Sequence, residues 1–142
     1  MSKPLASFRI YPDDRALYFK VYVWPSKAAM LAHLRSMNLS ASRDTVAQCS
    51  SYSIAKIKGG HWRTKPILGE INFHAKQLNA EVVSHECGHA ALSWARRKKF
   101  KKFNLEDLPI GPLVSRNEER FCYALGHMVN QIAIQLTKAR LW

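Results

Sequence analysis

The segment Ile67–His74 and the helix expected after it constrain the fold of this chain more than any other part of the sequence. Apolar residues recur along ILGEINFH with the two-residue period of a β-strand. One face would carry Ile67, Gly69, Ile71 and Phe73, and the other Leu68, Glu70, Asn72 and His74. Asn79 can then cap an amphipathic helix that runs through Ala95. A strand that leads directly into a long helix predicts a fold in which helices pack on a sheet.

The N-terminal half carries three further predicted elements. Ala16–Trp24 is rich in aromatic and β-branched residues, which favours a strand. Ser26 can cap a helix that ends near Met37, because apolar residues follow it at helical spacing. A second strand is expected in part of Thr45–Lys58, and the Gly59-Gly60 pair after it predicts a turn.

The last helix is predicted from its N-terminal signal. Ser115 to Glu118 has the S-x-x-E form of a capping box, in which the two end residues satisfy each other's backbone donors. An apolar stripe at spacings of three and four follows, formed by Phe121, Leu125, Met128, Ile132 and Leu136. The resulting order is strand, helix, strand, strand, helix, helix. This order predicts an α+β domain, with helices packed on one small mixed or antiparallel sheet.

Length and composition favour one globular domain over residues 1–142. Of the 142 residues, 47% are apolar and 23% are charged, which is ordinary for a folded protein. No run of 18 apolar residues occurs, so no transmembrane helix is expected. The N-terminal residues lack the apolar stretch of a signal peptide, which predicts a cytoplasmic protein. The three cysteines form no CxxC pair and are expected to be free thiols.

The net charge of +12 is the least ordinary property of the composition. Six of the seven residues in Arg96–Lys102 are basic, with Phe100 as the exception. Such a run attracts acidic proteins or nucleic acid, although cations at a helix C-terminus also complement the helix dipole. Two interpretations therefore stay open: a surface for an acidic partner or nucleic acid, and a solvated helix end.

The predicted helix after Asn79 contains the pattern His85-Glu86-Cys87-Gly88-His89. Residues four apart differ by about 40° around a helix and about 6 Å along it, so both imidazoles can reach one metal ion. Glu86 projects about 100° from His85, beside such a metal rather than on it. A carboxylate there can take a proton from a metal-activated water. The pattern therefore predicts zinc bound by His85 and His89, with Glu86 as the general base.

A catalytic zinc ion usually takes three protein ligands and leaves one position to water. The downstream candidates for the third ligand are Glu106, Asp107, Glu118, Glu119 and His127. Glu118 is occupied by the predicted capping box, whereas Glu119 is free to turn inward. Small residues follow Glu119 on its helix face and would allow the helix to approach the metal. Glu119 is therefore preferred, with Glu118 and His127 as the alternatives.

These motifs resemble those of a known enzyme family. HECGHAALSWA, followed 30 residues after His89 by ERFCYA, resembles the gluzincin branch of the zincin metallopeptidases, in which a later helix supplies a glutamate ligand. The pattern is most similar to small intracellular members that include phage-repressor-cleaving peptidases, whose second motif is E-x-x-x-F-A. Glu119, Tyr123 and Ala124 match it, with tyrosine in place of phenylalanine. The resemblance implies a minimal zincin-like fold, a Zn²⁺ cofactor and a protein or peptide substrate.

Three further site residues follow from position. In zincins the strand before the metal-binding helix is an edge that pairs with the substrate, and the resemblance gives this role to Ile67–His74. Asn72 and His74 would then be candidates for substrate contact. Tyr123 lies one turn after Glu119, from where its hydroxyl could stabilise an oxyanion beside the metal.

The sequence thus predicts a zinc-dependent endopeptidase, with two alternatives. The first is a basic protein associated with nucleic acid, in which zinc is structural or absent; against it, no DNA-reading module is recognisable. The second is a catalytically silent zincin-fold module that only binds a partner, which the intact Glu86 disfavours. No membrane association is expected, and the sequence does not determine the oligomeric state.

Overall fold

The computed structural model describes residues 2–13, 16–52, 55–58, 61–64, 66–98 and 116–142. Three helices, six strands and one short 3-10 turn (Ala75–Gln77) are formed within these ranges. In chain order they are β1 (Ala6–Ile10), β2 (Tyr18–Trp24), α1 (Lys27–Ser36), β3 (Ala47–Ser51), β4 (Ala55–Lys58), β5 (His61–Thr64), β6 (Ile67–His74), α2 (Ala80–Arg97) and α3 (Arg116–Lys138).

Four of the strands form one mixed sheet in the order β1-β2-β6-β3. Strand β6 runs parallel to β2 and antiparallel to β3, and β1 pairs antiparallel with β2. The predicted α+β class and the mixed sheet are confirmed. The predicted edge position of Ile67–His74 is wrong, because β6 has a hydrogen-bonded neighbour on each side. Among the described strands, β3 and β1 occupy the edges of this sheet.

Local capping signals located the first two helices correctly. The Ser26 hydroxyl accepts a hydrogen bond from the backbone N–H of Ala29 at 3.2 Å, and α1 begins at the next residue. The Asn79 side chain accepts from the N–H of Val82 at 2.9 Å at the start of α2. For α3, the proposed capping residue Ser115 lies outside the described residues.

Strand boundaries were predicted less well than helices. Strand β1 was not expected, because its five residues carry only a short apolar pattern. The single strand expected within Thr45–Lys58 is divided into β3 and β4. Strand β4 pairs with β5, which was also missed, in a separate two-stranded sheet.

Helices cover both faces of the main sheet, and this explains why β6 is buried almost throughout despite its polar residues. Helix α1 packs on one face, where Trp24, Met30 and Leu34 form a small core. Helix α2 packs on the other face, where Phe19, Ile71 and other apolar residues form the larger core. A polar residue that points away from the larger core therefore meets α1 rather than solvent.

Helix α3 packs against α2 and β1 through its predicted apolar stripe. Met128, Ile132 and Leu136 are fully buried, while Phe121 and Leu125 are partly buried against the same core. No helix in the described part of the chain has the length and apolar character needed to cross a membrane.

Candidate metal centre

Helix α2 places His85, Glu86 and His89 at the surface of the larger core. Its buried face, which includes Val83, Cys87 and Trp94, fixes the rotation of the helix against the sheet and α3. The remaining face leaves both histidines exposed and turns Glu86 inward, where only 7% of its surface is accessible. The i, i+4 spacing therefore produces two accessible imidazoles beside one buried carboxylate.

The two imidazoles converge through the same ring atom. The Nε2 atoms of His85 and His89 lie 3.2 Å apart. Zinc–nitrogen bonds of about 2.0–2.1 Å at a tetrahedral angle of about 109° separate two ligand nitrogens by about 3.3–3.4 Å. The same separation allows a ring N–H of one imidazole to donate to the ring nitrogen of the other. The spacing of this pair fits a shared metal ion.

Glu86 has the electrostatics of a base that can take up a proton. Burial raises the pKa of its carboxyl group, while the backbone N–H of Cys49, which donates to the carboxylate, and the nearby His85 and His89 lower it. The net effect is a pKa above the usual glutamate value. A carboxylate in this environment has a higher affinity for a proton than a carboxylate exposed to water.

An open cleft of about 390 Å³ lies between α2 and the edge strand β3. His85, Glu86 and His89 line it from the helix, and Ala47, Cys49 and Ser51 line it from the strand. A hydrogen bond between the side-chain hydroxyls of Ser51 and Ser93 joins the two walls at one end. The histidine pair therefore faces a groove rather than open solvent.

The backbone of β3 directs alternate N–H and C=O groups toward this groove. The N–H of Tyr52 donates to the carbonyl of Leu68 in β6 at 2.8 Å. The backbone N–H and C=O groups of Ser50 and Gln48, two and four positions earlier, therefore also point toward β6. The alternate residues Ala47, Cys49 and Ser51 direct their N–H and C=O groups to the open edge. The contact of the Cys49 N–H with Glu86 agrees with this register.

The structure does not bring the predicted third ligand to the histidine pair. Within the described residues, no group of three His, Cys, Asp or Glu side chains is arranged to hold a metal. Glu119 is exposed, and its position lies about 160° around α3 from the centre of the buried stripe. Glu118 is half-buried and His127 is exposed. Glu106 and Asp107, the other two candidates, lie outside the described residues.

The predicted substrate contacts of Asn72 and His74 are corrected by the structure. Asn72 is completely buried, because α1 covers its face of the sheet. Its side chain accepts from the indole N–H of Trp24 at 2.9 Å and donates to Glu70 at 2.8 Å. His74 is 4% exposed and bonds through Nε2 to the Gln77 side chain at 2.9 Å. Neither side chain lines the cleft of the histidine pair.

Tyr123 lies in a different depression, on the side of α2 that carries Trp94. It lines this depression with Trp94, Arg120 and His127, and its ring is 66% exposed. Trp94 projects about 140° around α2 from His89. The predicted position of the Tyr123 hydroxyl beside the metal is therefore not found.

The described part of the basic run does not form one uniform patch. Arg96 lines the cleft of the histidine pair. Arg97 donates to the backbone carbonyl of Tyr52 at 3.1 Å, and the Lys98 ammonium lies 3.9 Å from the Asp13 carboxylate. The other basic residues of the run, Lys99, Lys101 and Lys102, lie outside the described residues.

A second polar cluster, not predicted from the sequence, occupies the α1 face of the sheet. The buried Glu70 carboxylate accepts from the Tyr52 hydroxyl at 2.5 Å and from the Asn72 amide at 2.8 Å, and it lies 2.8 Å from His33 Nε2. Burial and the hydrogen bond to Glu70 raise the pKa of Tyr52 above its usual range, so its hydroxyl remains a donor. We refer to Glu70, His33, Tyr52 and Asn72 as the Glu70 cluster.

The cleft also contains residues that sequence reasoning missed. Leu92 and Arg96 line it at three and seven residues after His89, a helical spacing that was visible in the sequence. The small residues of β3 gave no comparable signal, since AQCSS has neither a clear apolar alternation nor a catalytic pattern. Comparison of the chain with protein-family models, curated proteins and solved structures finds no match.

Proposed function

We propose that this protein is a zinc-dependent endopeptidase of the zincin type, with its active centre at His85, Glu86 and His89. The observation that carries the proposal is the convergence of the two Nε2 atoms, 3.2 Å apart, beside a buried glutamate with a raised pKa. Burying a carboxylate costs free energy. A purely structural role of the two histidines would not explain why Glu86 is buried beside them, whereas a catalytic role would.

In the proposed chemistry, the metal and the side chains of the protein have separate roles. Zinc held by the imidazoles would supply Lewis acidity, which makes water a nucleophile near neutral pH and polarises a carbonyl group. Glu86 would take the proton from the attacking water and deliver it to the leaving amine. The Cys49 N–H bond orients the carboxylate, and the exposed side of α2 leaves the histidines open to a substrate.

Strand β3 would hold the substrate in place of β6. Apart from the Cys49 N–H, which is bonded to Glu86, its outward N–H and C=O groups can pair with an extended peptide, which would then pass over the histidine pair. The role that the family resemblance gave to Ile67–His74 is thereby moved to the neighbouring strand Ala47–Ser51, which is at the edge of the sheet.

A third ligand would be needed to complete the site. The E-x-x-x-F-A resemblance favours Glu119, which requires the start of α3 to turn relative to α2 when zinc binds. Glu118 is the nearest competitor, because it is half-buried and lies one residue away. Both assignments can be distinguished by metal affinity, as described below.

Hydrolysis of peptides tests the proposed function. The full chain would be loaded with one equivalent of zinc and incubated with a mixed peptide library, and the products identified by mass spectrometry. We expect cleavage that 1,10-phenanthroline abolishes and that added zinc restores. Cleavage that persists in excess chelator would point to a contaminating or metal-independent protease and would contradict the proposal.

A further inference from the structure

We propose that Arg96 is a specificity-determining residue that selects an acidic side chain on the N-terminal side of the scissile bond. This inference rests on the proposed peptidase function and adds a substrate class to it, namely acidic extended peptides. It starts from the position of Arg96 inside the cleft rather than on the outer surface of the basic run.

A stripe of exposed side chains on α2 follows the length of the groove. It is formed by Glu81, His85, His89, Leu92 and Arg96, all exposed. Their spacings of four, four, three and four residues keep them on one side of the helix. From His89 to Arg96 the helix rises about 10.5 Å, which an extended peptide covers in about three residues at about 3.4 Å each. Arg96 is therefore placed to meet a side chain about three residues from the reacting bond.

Arg96 is available for a ligand. It forms no ion pair with any residue that the structure describes, in contrast to Lys98 beside Asp13. Ser51 and Ser93 line the same end of the cleft and provide two hydroxyl groups, which are bonded to each other. Between this end and the histidine pair, Leu92 lines the groove, is 41% exposed and offers an apolar contact. A guanidinium beside hydroxyl groups suits a carboxylate.

The opposite end of the cleft has the opposite character. A depression there is lined by Val46, Val82 and Glu81, together with His85 and Glu86. A carboxylate of the substrate at this end would face the carboxylate of Glu81, whereas an apolar or basic side chain would not be repelled. The cleft is therefore polarised along its length, with its cationic end at Arg96.

The direction of the bound peptide follows from the directions of the two walls. Ala47 lies near Glu81 at one end, while Ser51 bonds to Ser93 near Arg96 at the other. A peptide that pairs antiparallel with β3, the more stable arrangement, begins at the Arg96 end and finishes at the Glu81 end. The residues before the scissile bond therefore pass Arg96, which places the acidic preference on the N-terminal side.

The first test compares cleavage-site preferences. Zinc-loaded wild type, Arg96→Gln and the control Arg35→Gln would each digest a randomised peptide library. Arg35 is an exposed arginine on α1, away from the cleft, so its variant removes the same charge elsewhere. We expect wild type and Arg35→Gln to prefer Asp or Glu about three residues before the cut by about fivefold, as an exposed ion pair allows, and Arg96→Gln to lose this preference. An acidic preference after the cut, or one that survives Arg96→Gln, would overturn the inference.

A second test does not depend on turnover. Two labelled peptides identical except for Asp or Asn at the selected position would be titrated into Glu86→Gln and into Glu86→Gln/Arg96→Gln, and binding followed by fluorescence anisotropy. The Asp peptide should bind about fivefold more tightly only when Arg96 is present, and the difference should shrink at high salt. Equal binding of the two peptides would overturn the inference even if cleavage is observed. Selective binding without any cleavage by wild type would instead contradict the peptidase proposal alone.

Discussion

Two buried glutamates on opposite sides of the same sheet have different surroundings. Glu70 points toward α1 and is surrounded by the hydroxyl of Tyr52, the amide of Asn72 and the imidazole of His33. Glu86 faces β3 from α2, accepts from the backbone N–H of Cys49 and has a raised pKa because of burial. Each lies close to histidine, and Glu86 also borders an open cleft.

The difference between the two sites is the supply of hydrogen-bond donors. The Glu70 carboxylate accepts from Tyr52 and Asn72 and lies 2.8 Å from His33 Nε2, so its contacts connect β6 with α1 and with the residue after β3. Among the described residues, Glu86 accepts from the backbone N–H of Cys49, and it lies beside two exposed imidazoles. A buried carboxylate is therefore expected to be structural when its donors are complete and reactive when they are not.

The largest expected effect is a loss of peptide hydrolysis when the Glu86 carboxylate is removed. Glu86→Gln should reduce peptide hydrolysis by about 10²–10⁴-fold, because only the general base is lost, while zinc binding and the fold remain. Steady-state cleavage of a library-derived peptide measures this change, with zinc content as the control. Near-normal turnover in the variant would show that Glu86 is not the base.

A second prediction sharpens the account of the metal site. Glu119→Ala should weaken zinc binding by more than about 100-fold. Loss of a residue that only hydrogen-bonds to a metal ligand costs up to about 100-fold, and loss of a ligand itself should cost more. Glu118→Ala should cost mainly helix-capping energy, about 1 kcal/mol, with zinc affinity little changed. Competition titrations with a chromophoric chelator compare the two variants. The opposite order would assign the ligand to Glu118.

The third prediction concerns the Glu70 cluster. Glu70→Ala should lower the free energy of unfolding by about 2–4 kcal/mol, because it leaves buried donors on Tyr52 and Asn72 without an acceptor. Urea denaturation of the metal-free protein measures the loss. Glu86→Gln, which keeps the shape of the side chain on the other side of the sheet, should shift the midpoint little. A loss below about 0.5 kcal/mol for Glu70→Ala would contradict the structural role.

The smallest effect concerns the thiols that flank Glu86. Burial raises the pKa of Cys49 and Cys87 to about 12, from the ordinary value of 9.0, whereas Cys122 is exposed. At pH 8 iodoacetamide should therefore modify Cys122 alone in the native protein, which mass spectrometry of the digested protein detects. Rapid modification of Cys49 would show that the wall between β3 and α2 opens readily.

The raised pKa values of Cys49 and Cys87 should make the free energy of unfolding depend on pH. Above pH 9 the unfolded chain loses the two thiol protons while the folded protein keeps them up to about pH 12. The thiol contribution to stability is therefore complete below pH 9 and declines as pH rises, by about 1.4 kcal/mol per pH unit for each thiol. Urea midpoints between pH 8 and 10.5 test this, with Cys122→Ser as the unchanged control.

Features that depend on neighbouring residues were predicted from the sequence. The caps at Ser26 and Asn79 and the i, i+4 pair in α2 are set by local geometry, and the structure reproduces both caps and the convergence of His85 and His89. The apolar stripe of α3 was predicted for the same reason. These patterns extend over one or two helical turns and need no knowledge of the tertiary fold.

Features that depend on distant segments were not predictable in this way. The inner position of β6 is decided by its pairing with β2, which lies more than 40 residues earlier in the chain. The burial of Asn72 depends on α1, which covers a strand face that its own sequence marks as polar. The position of Glu119 likewise depends on the rotation of α3, which is set by the packing of its apolar stripe. The role of β3 is a consequence of sheet order, because its small side chains carry no signal.

Zinc stoichiometry tests the central claim most directly. Wild type, His85→Ala, His89→Ala and His33→Gln would be purified, equilibrated with zinc, freed of excess metal and measured by elemental analysis. His33 lies in the Glu70 cluster, so its variant changes the histidine of the compared site. We expect one zinc ion per chain in wild type and His33→Gln, and a large loss in both α2 variants. Equal zinc content in wild type and His85→Ala would contradict the assignment of the metal centre to α2.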